Sequence, residues 1–461
     1  MSATTAFSVQ GRRVTVVGAA RSGIAAAELL VRRGAIVTVT DVRDDVEHAD
    51  ALRAGGVKLE LGGHAEGTLA GADLVVLSPG VPLDQPSIAD ARRAGVPVIG
   101  ELELASRWLR GRIVAITGTK GKSTTTTLAG RMLEAGGYPV LVGGNIGHAL
   151  SSQVDQSTSD TIHVVETSSF QLESTDTFHP WIAVLLNFSP DHLDRHATVQ
   201  DYAAAKSRIF ANQDAQDWAV LNADDIETVS LAEGARARRL LCSVAGDPSA
   251  DVVVSGEAIV RRTRTGEAPL IPLSAVKLTG RHLLADVLAA AAVSSLVGVS
   301  GDAMTRAVEG FTGLEHALEP VAEIDGVRFV NDSKATNIEA ARRAIESFEN
   351  GLVVVMGGRY KGGDFHELAK PLAARRATIV AIGEARPLIA DALGSSCVVH
   401  EAADMSAAVR TAFASASPGQ TVLLAPACAS FDMFRDYAER GRVFKQEVRR
   451  LGEEWNVTRE Q

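Results

Sequence analysis

Short runs of β-branched and aliphatic residues, ending in Gly, Ser or Asn, alternate with stretches of helical spacing through most of the chain. Residues 14–17 lead into a helix-like 24–33, residues 74–77 stop at Ser78-Pro79-Gly80, and residues 113–117 enter a glycine turn before a helix at 124–135. The series continues at 162–165, 183–186, 218–221, 352–356, 378–382 and 422–424. Apolar runs this short fit strands covered on both faces, with the intervening helices as crossovers, so an α/β architecture of mostly parallel sheets is expected. The segment 243–277, rich in Thr and Val with paired Arg, reads instead as a β-hairpin decoration.

The chain has 461 residues, and two or three domains are expected at that length. The pattern divides into residues 1–109, 110–313 and 314–461, with Gly310-Phe311-Thr312-Gly313 as a candidate hinge. At 46% apolar and 22% charged residues the composition supports packed cores and argues against global disorder. A formal net charge of −10 weighs against a generic binder of nucleic acid or anionic membranes, though a local basic pocket is compatible with it. Three scattered cysteines, Cys242, Cys397 and Cys428, suit a reducing cytosol rather than a disulfide framework. The first ten residues lack a signal-peptide pattern, and Pro418, Gly419 and Pro426 interrupt the longest charge-free stretch, so a cytoplasmic protein with no membrane insertion is expected.

The densest chemistry lies at Gly118-Thr119-Lys120-Gly121-Lys122-Ser123-Thr124, where a strand turns through glycines into a helix. Backbone N–H groups in such a turn converge on an anion, Lys122 reaches outer phosphates, and Ser123 offers a hydroxyl to Mg²⁺. The general phosphate-loop pattern is incomplete, since its first glycine would fall at Ile116. Glu166 ends the following strand, at the tip where α/β proteins bind ligands, and His192 follows the strand after it. Nearer the N-terminus, Gly18, Arg21, Ser22 and Gly23 follow a strand, and Asp41 ends the next. Ala20 stands where a dinucleotide fingerprint has its middle glycine, so a nicotinamide site is only weakly indicated.

The order of these motifs resembles the Mur ligases, ATP-dependent enzymes that add amino acids to peptidoglycan precursors. Glu166-Thr-Ser-Ser-Phe-Gln-Leu-Glu173, Asn187, Asp191-His192-Leu-Asp194-Arg195, Lys206 and Asn222-Ala-Asp-Asp225 occur in that family's sequence. Asn331-Asp332-Ser333-Lys334-Ala335-Thr336-Asn337, Gly357-Gly-Arg-Tyr-Lys361 and Ser430-Phe431-Asp432-Met433-Phe434 are similar to its D-glutamate-adding branch. The resemblance implies Rossmann-like first and third domains around a central ATPase-like parallel sheet. It also implies an ATP-dependent carboxylate–amine ligase joining D-glutamate to UDP-N-acetylmuramoyl-L-alanine through an acyl phosphate, and a monomer is expected.

By the same resemblance, residues 118–124 with Asp332 and Lys334 hold ATP, and Lys122, His192 and Lys206 are catalytic. Ser123, Glu166, His192 and Lys206 surround Mg²⁺ (or Mn²⁺), with Lys206 capped by CO₂ as a carbamate. The uridine substrate is expected on Gly18, Ser22, Asp41, Arg43, Ser78, Gly80, Asn145, Ser168 and His192. D-glutamate is expected on Thr336, Lys361, Ser430, Phe431 and Phe434. Four positions depart from the family pattern. Leu283 and Asp286 replace asparagines in His282-Leu283-Leu284-Ala285-Asp286, Ala317 replaces the arginine after His316, and Lys120 replaces a loop asparagine. Leu283 cannot hydrogen-bond, and Asp286 accepts but cannot donate to an adenine ring nitrogen, so altered nucleotide affinity with retained activity is expected.

Overall fold

The computed structural model describes residues 7–46, 48–64, 67–191, 195–277, 281–349, 351–360 and 362–459. Its chain divides into two compact units, Met1–Phe311 and Thr312–Gln461. The first unit holds two sheets. One is five-stranded and entirely parallel, built from β1 (Arg13–Val17), β2 (Ile36–Asp41), β3 (Lys58–Leu61), β4 (Leu74–Leu77) and β5 (Val98–Gly100) in the order β3-β2-β1-β4-β5.

The other is nine-stranded. It contains β6 (Arg112–Thr117), β7 (Val140–Gly144), β8 (Ile162–Glu166), β9 (Ile182–Leu185), β10 (Trp218–Asn222), β11 (Arg238–Ser243), β12 (Val252–Ser255), β13 (Ala258–Thr263) and β14 (Gly266–Pro272). Its order is β14-β13-β12-β11-β10-β9-β6-β8-β7. The expected hairpin decoration is present as β13 and β14, antiparallel to each other. It is continuous with the main sheet, because β12 pairs parallel with β11 and antiparallel with β13.

The second unit has six strands: β15 (Glu319–Ile324), β16 (Val327–Asn331), β17 (Leu352–Gly357), β18 (Thr378–Ile382), β19 (Val398–Glu401) and β20 (Thr421–Leu424). Their order is β15-β16-β20-β17-β18-β19, parallel except for the β15–β16 hairpin. Uniform burial of LVVL in β4, IHVVE in β8 and LVVVMG in β17 reflects helices on both faces, the reason these runs lack polar alternation. No helix among the described residues is long and apolar enough to cross a membrane.

Buried carboxylates tie the two sheets of the first unit together. Glu103, in the helix Glu101–Ser106, accepts from the backbone N–H groups of Asp176, Thr177 and Phe178, from the Thr177 hydroxyl and from Arg107. Glu101 accepts from the backbone N–H of Ser151 at 2.7 Å. Such charge-assisted bonds fix the seam that brings the ends of the first sheet beside the second.

One buried imidazole sets an acid limit on the fold. His163 on β8 is fully buried, with Nε2 2.8 Å from the Ser157 hydroxyl and Nδ1 without a partner. Burial pushes its pKa down to about 4, from an ordinary 6.5. The unfolded chain therefore takes up this proton at a pH where the folded chain does not, and stability declines as pH falls from 6.5 towards 4. The full penalty is on the order of 3 kcal/mol. Urea unfolding at pH 7.5 and pH 4.5 should show a smaller loss for His163→Leu than for the parent chain; equal losses would exclude this imidazole as a cause.

Candidate active site

Both sheets of the first unit reverse strand order at one point, and each reversal opens a crevice at the carboxyl ends of its strands. In the nine-stranded sheet β6 lies between β8 and β9. The turn after β6 uses Gly118 (φ +155°) and Gly121 (φ +80°) to enter the helix Lys122–Ala135. Positive φ at Gly121 places the start of that helix, with its unpaired N–H groups, across the turn. Thr119, Lys120, Ser123 and Thr124 complete the cradle. Asn187, after β9, braces it: its Oδ1 accepts from the Lys120 N–H at 2.8 Å, and its Nδ2 donates to the Lys120 carbonyl.

Two lysines converge on this turn. Lys122 Nζ donates to the carbonyls of Gly118 (3.1 Å) and Thr119 (3.0 Å). Lys206, from the helix Val199–Ser207, donates to the same Gly118 carbonyl at 2.7 Å and lies 4.7 Å from the Tyr202 ring centre. Lys206 is 1% exposed, because its helix packs against the turn. Burial first, and the neighbouring Lys122 charge second, push the Lys206 amine down to about 7, against the opposing pull of Asp191. An amine of that kind is substantially unprotonated near neutrality, the form that reacts with an electrophile such as CO₂.

Glu166 ends β8, paired in register with Ile116 of β6 just before the glycine turn. It is 1% exposed. Oε1 accepts from Asn145 Nδ2 at 2.6 Å, while Oε2 is buried with no hydrogen-bond partner. An orphaned buried carboxylate oxygen is costly unless something positive binds it. This oxygen and the Ser123 hydroxyl at the helix start are hard oxygen donors of the kind Mg²⁺ prefers, whereas the Lys206 amine is not. His192 lies outside the described residues, as do Leu193, Asp194 and Lys361.

Asp286, a departure from the family pattern expected to alter nucleotide affinity, packs against the cradle. It is buried, and a Cβ on Gly121 would lie 2.0 Å from its Oδ1. Burial pushes its carboxyl up to about 8, opposed by Lys122. The protonated acid, which prevails at neutral pH, carries an O–H donor, which corrects the expectation that this position can only accept. The burial that raises it comes from tertiary packing and has no signal in the sequence.

The crevice of the five-stranded sheet is a cavity of about 530 Å³. Gly18, Ser22, Asp41, Ser78 and Gly80 line it together with Asn145 and Gln171 from the neighbouring sheet. A Cβ on Gly23 would lie 1.8 Å from the Gly18 carbonyl, so this glycine is required by the tight strand–helix turn. Arg43 does not line the cavity; it clamps Asp41, and its guanidinium holds that carboxyl well below the usual range. Ser168 is a helix N-cap in a reciprocal capping box with Gln171, which places Gln171 at the cavity wall. Asn145 faces both the cavity and Glu166, so one side chain links the two crevices.

In the second unit, Asp332 and Lys334 follow β16, and residues 425–434 follow β20. Burial raises the Asp332 carboxyl to about 6, and the Leu318 N–H donates to its Oδ1. The fully buried Arg440 holds both segments, donating to the Ser333 hydroxyl and carbonyl and to the Cys428 carbonyl. The Ala427 N–H donates to the Ala335 carbonyl at 2.9 Å. Thr336 and Ser430 are thereby brought to one end of the sheet. Ser430 is buried and its carbonyl accepts from the Met433 and Phe434 N–H groups, while Phe431 is 63% exposed.

Three family descriptions match the chain: "Mur ligase MurD-like, N-terminal domain" over residues 12–100, "Mur ligase middle domain" over 116–294, and "Mur ligase, glutamate ligase domain" over 318–428. The chain is 46% identical to a UDP-N-acetylmuramoylalanine–D-glutamate ligase of Acidobacterium capsulatum, covering 95% of this chain and 96% of the relative. It is 43% identical to the ligase of the same name from Koribacter versatilis, covering 97% and 99%. Among solved structures, a UDP-N-acetylmuramate–alanine ligase from Thermotoga maritima superposes with a TM-score of 0.56 at 19% identity, covering 95% of this chain and 99% of that one. A pseudomurein peptide ligase from Methanothermus fervidus gives 0.55 at 18%, covering 96% and 100%. At these identities the two structures speak for the fold alone.

Proposed function

The chain belongs to the Mur ligase family, and on that premise we propose that it joins D-glutamate to UDP-N-acetylmuramoyl-L-alanine at the expense of ATP, in the cytoplasmic synthesis of peptidoglycan. The end-to-end match to relatives bearing that activity in their names carries the proposal. The domains are taken as residues 1–109 for the uridine substrate, 110–313 for ATP and Mg²⁺, and 314–461 for D-glutamate.

The substrate's alanyl carboxylate attacks the γ-phosphorus of ATP, forming an acyl phosphate and releasing ADP. The D-glutamate amine then attacks the acyl carbon, the amide forms, and phosphate leaves with the bond to the acyl oxygen. Both reactants of the first step are anions, so the barrier is chiefly electrostatic. Lys122 and the N–H groups of the 118–124 turn draw charge from the outer phosphates. Asn145 lines the uridine-substrate cavity while holding Glu166, which keeps the reacting carboxylate's path and the metal-facing carboxylate in one frame.

Ser123, Glu166 and a carbamate on Lys206 would hold Mg²⁺, which would supply charge neutralisation between the attacking carboxylate and the phosphates. CO₂ capture by the neutral Lys206 amine would form an N–C bond and release one N–H proton to solvent; counted from the ammonium form, two protons leave and a cation becomes an anion. Asp332 and Lys334 are assigned to the nucleotide, and Thr336, Lys361, Ser430, Phe431 and Phe434 to D-glutamate. Hydroxyl donors and a cation match a dicarboxylate.

Phosphate release measured with D-glutamate, L-glutamate, L-alanine and diaminopimelate as acceptors tests the proposal. D-glutamate should be the fastest of the four. A faster reaction with any other acceptor would assign the chain to a different member of the family, and no release with any would remove the ligase activity altogether.

A further inference from the structure

The cavity of the five-stranded sheet contains a side chain with no assigned role, His64, in the loop after β3. The inference drawn from it rests on this cavity taking the uridine diphosphate end of the substrate. The helix Arg21–Arg32 begins in the cavity wall, with Arg21 and Ser22 lining it, so its N-terminus suits the diphosphate. The β4 side abuts the neighbouring sheet, where the Val81 carbonyl accepts from Arg195, and Asn145 there leads to Glu166. The reacting carboxyl must point that way, which leaves the nucleobase for the opposite end, beyond β1 at the tips of β2 and β3. Asp41, Val42 and His64 form that end.

Asp41 has little left to offer a base. Its Oδ2 accepts from the Ala19 N–H (2.6 Å) and Arg43 Nη2 (2.8 Å), and its Oδ1 from the Arg43 N–H and Nε (both 2.9 Å). Four donors fill the acceptor sites of one carboxylate. Asp41 is thus a positioning residue for the 18–20 turn.

His64 is held by its loop. The Gly62 N–H donates to the Arg43 carbonyl and the Gly63 N–H to the Asp41 carbonyl, at 2.9 and 3.1 Å. The Thr40 hydroxyl lies 3.1 Å from the Gly63 carbonyl and 2.9 Å from His64 Nδ1. A hydroxyl has one proton, and the carbonyl can only accept, so Thr40 donates to Gly63 and His64 Nδ1–H donates to Thr40. In the neutral ring Nε2 then carries the lone pair and is an acceptor.

Uracil presents an N–H at ring position 3, flanked by two carbonyls, whereas cytosine presents a lone pair there. We propose that His64 is the specificity-determining residue for the nucleobase, its Nε2 accepting from the uracil N3–H and facing an unmatched lone pair in a cytidine analogue.

Titration calorimetry of the full chain at pH 8 with UDP, CDP and N3-methyl-UDP tests this. The parent chain should bind UDP at least about tenfold more tightly than either analogue, the scale expected when a site acceptor loses its donor. His64→Phe should bind UDP about tenfold more weakly and lose the discrimination, and His64→Gln, which retains an acceptor, should recover part of it. His64→Gln also serves if the phenylalanine variant does not fold. Discrimination persisting in His64→Phe, or absent from the parent chain while UDP binds, would overturn the role of His64 and leave the substrate assignment standing. No binding of UDP to the parent chain would overturn the substrate assignment and the role of His64 with it.

Discussion

Replacing Lys206 with methionine should lower kcat on the order of 10³-fold while raising the thermal midpoint in CO₂-free buffer. The two effects have a common origin. The structure buries an amine whose Nζ has one carbonyl partner at 2.7 Å, close to a second lysine on the same carbonyl, and desolvation with that repulsion brings its pKa to about 7. A lysine lowered in this way costs the fold stability. The unfolded chain holds the proton up to about 10.5, the folded chain only to about 7, so the penalty grows as pH falls through that interval and is complete below it. Methionine removes the penalty, and with it the nitrogen that CO₂ would cap. Steady-state kinetics and calorimetric melting at pH 7 and pH 9 check both directions. The stabilisation should be larger at pH 7, and a variant with unimpaired turnover would exclude Lys206 from the chemistry.

Glu166→Gln should lower kcat about 10²–10³-fold, with the apparent Mg²⁺ requirement raised and the fold intact. Glutamine preserves an oxygen for Asn145 Nδ2, now 2.6 Å from Oε1, so the link to the cavity of the five-stranded sheet survives. It replaces the orphaned Oε2 with an uncharged NH₂ group and removes the negative charge that suits a divalent cation. Because an unpartnered buried carboxylate oxygen is costly without that cation, the variant should melt no lower than the parent chain in metal-free buffer. Kinetics at varied Mg²⁺, together with melting in EDTA, separate the roles. Unchanged turnover with a lowered midpoint would make Glu166 a structural residue only.

The apolar runs and their punctuating glycines were sufficient to place the strands that carry function, because a strand covered on both faces has no polar alternation and must end where polar residues begin. Glu166, Asn187 and the 118–124 turn all sit at such ends, so their gathering at one crevice follows from parallel topology. Edge and short strands such as β3, β5 and β19 carried no comparable signal, since partial exposure mixes polar residues into them. The continuity of β12–β14 with the main sheet was equally hidden, because pairing partners are a matter of register between distant segments.

Chemical identity was written in the order of residues; chemical state was not. The sequence by itself determined which donors, acceptors and cations the chain possesses and roughly which strand tips present them. Only the tertiary structure decided that Lys206 is buried beside Lys122, that burial against Gly121 raises the Asp286 carboxyl, that Arg43 and the Ala19 N–H saturate Asp41, and that His64 lines the cavity of the five-stranded sheet. Protonation and hydrogen-bond saturation depend on desolvation and on neighbours brought from far along the chain, and neither quantity exists until the segments pack.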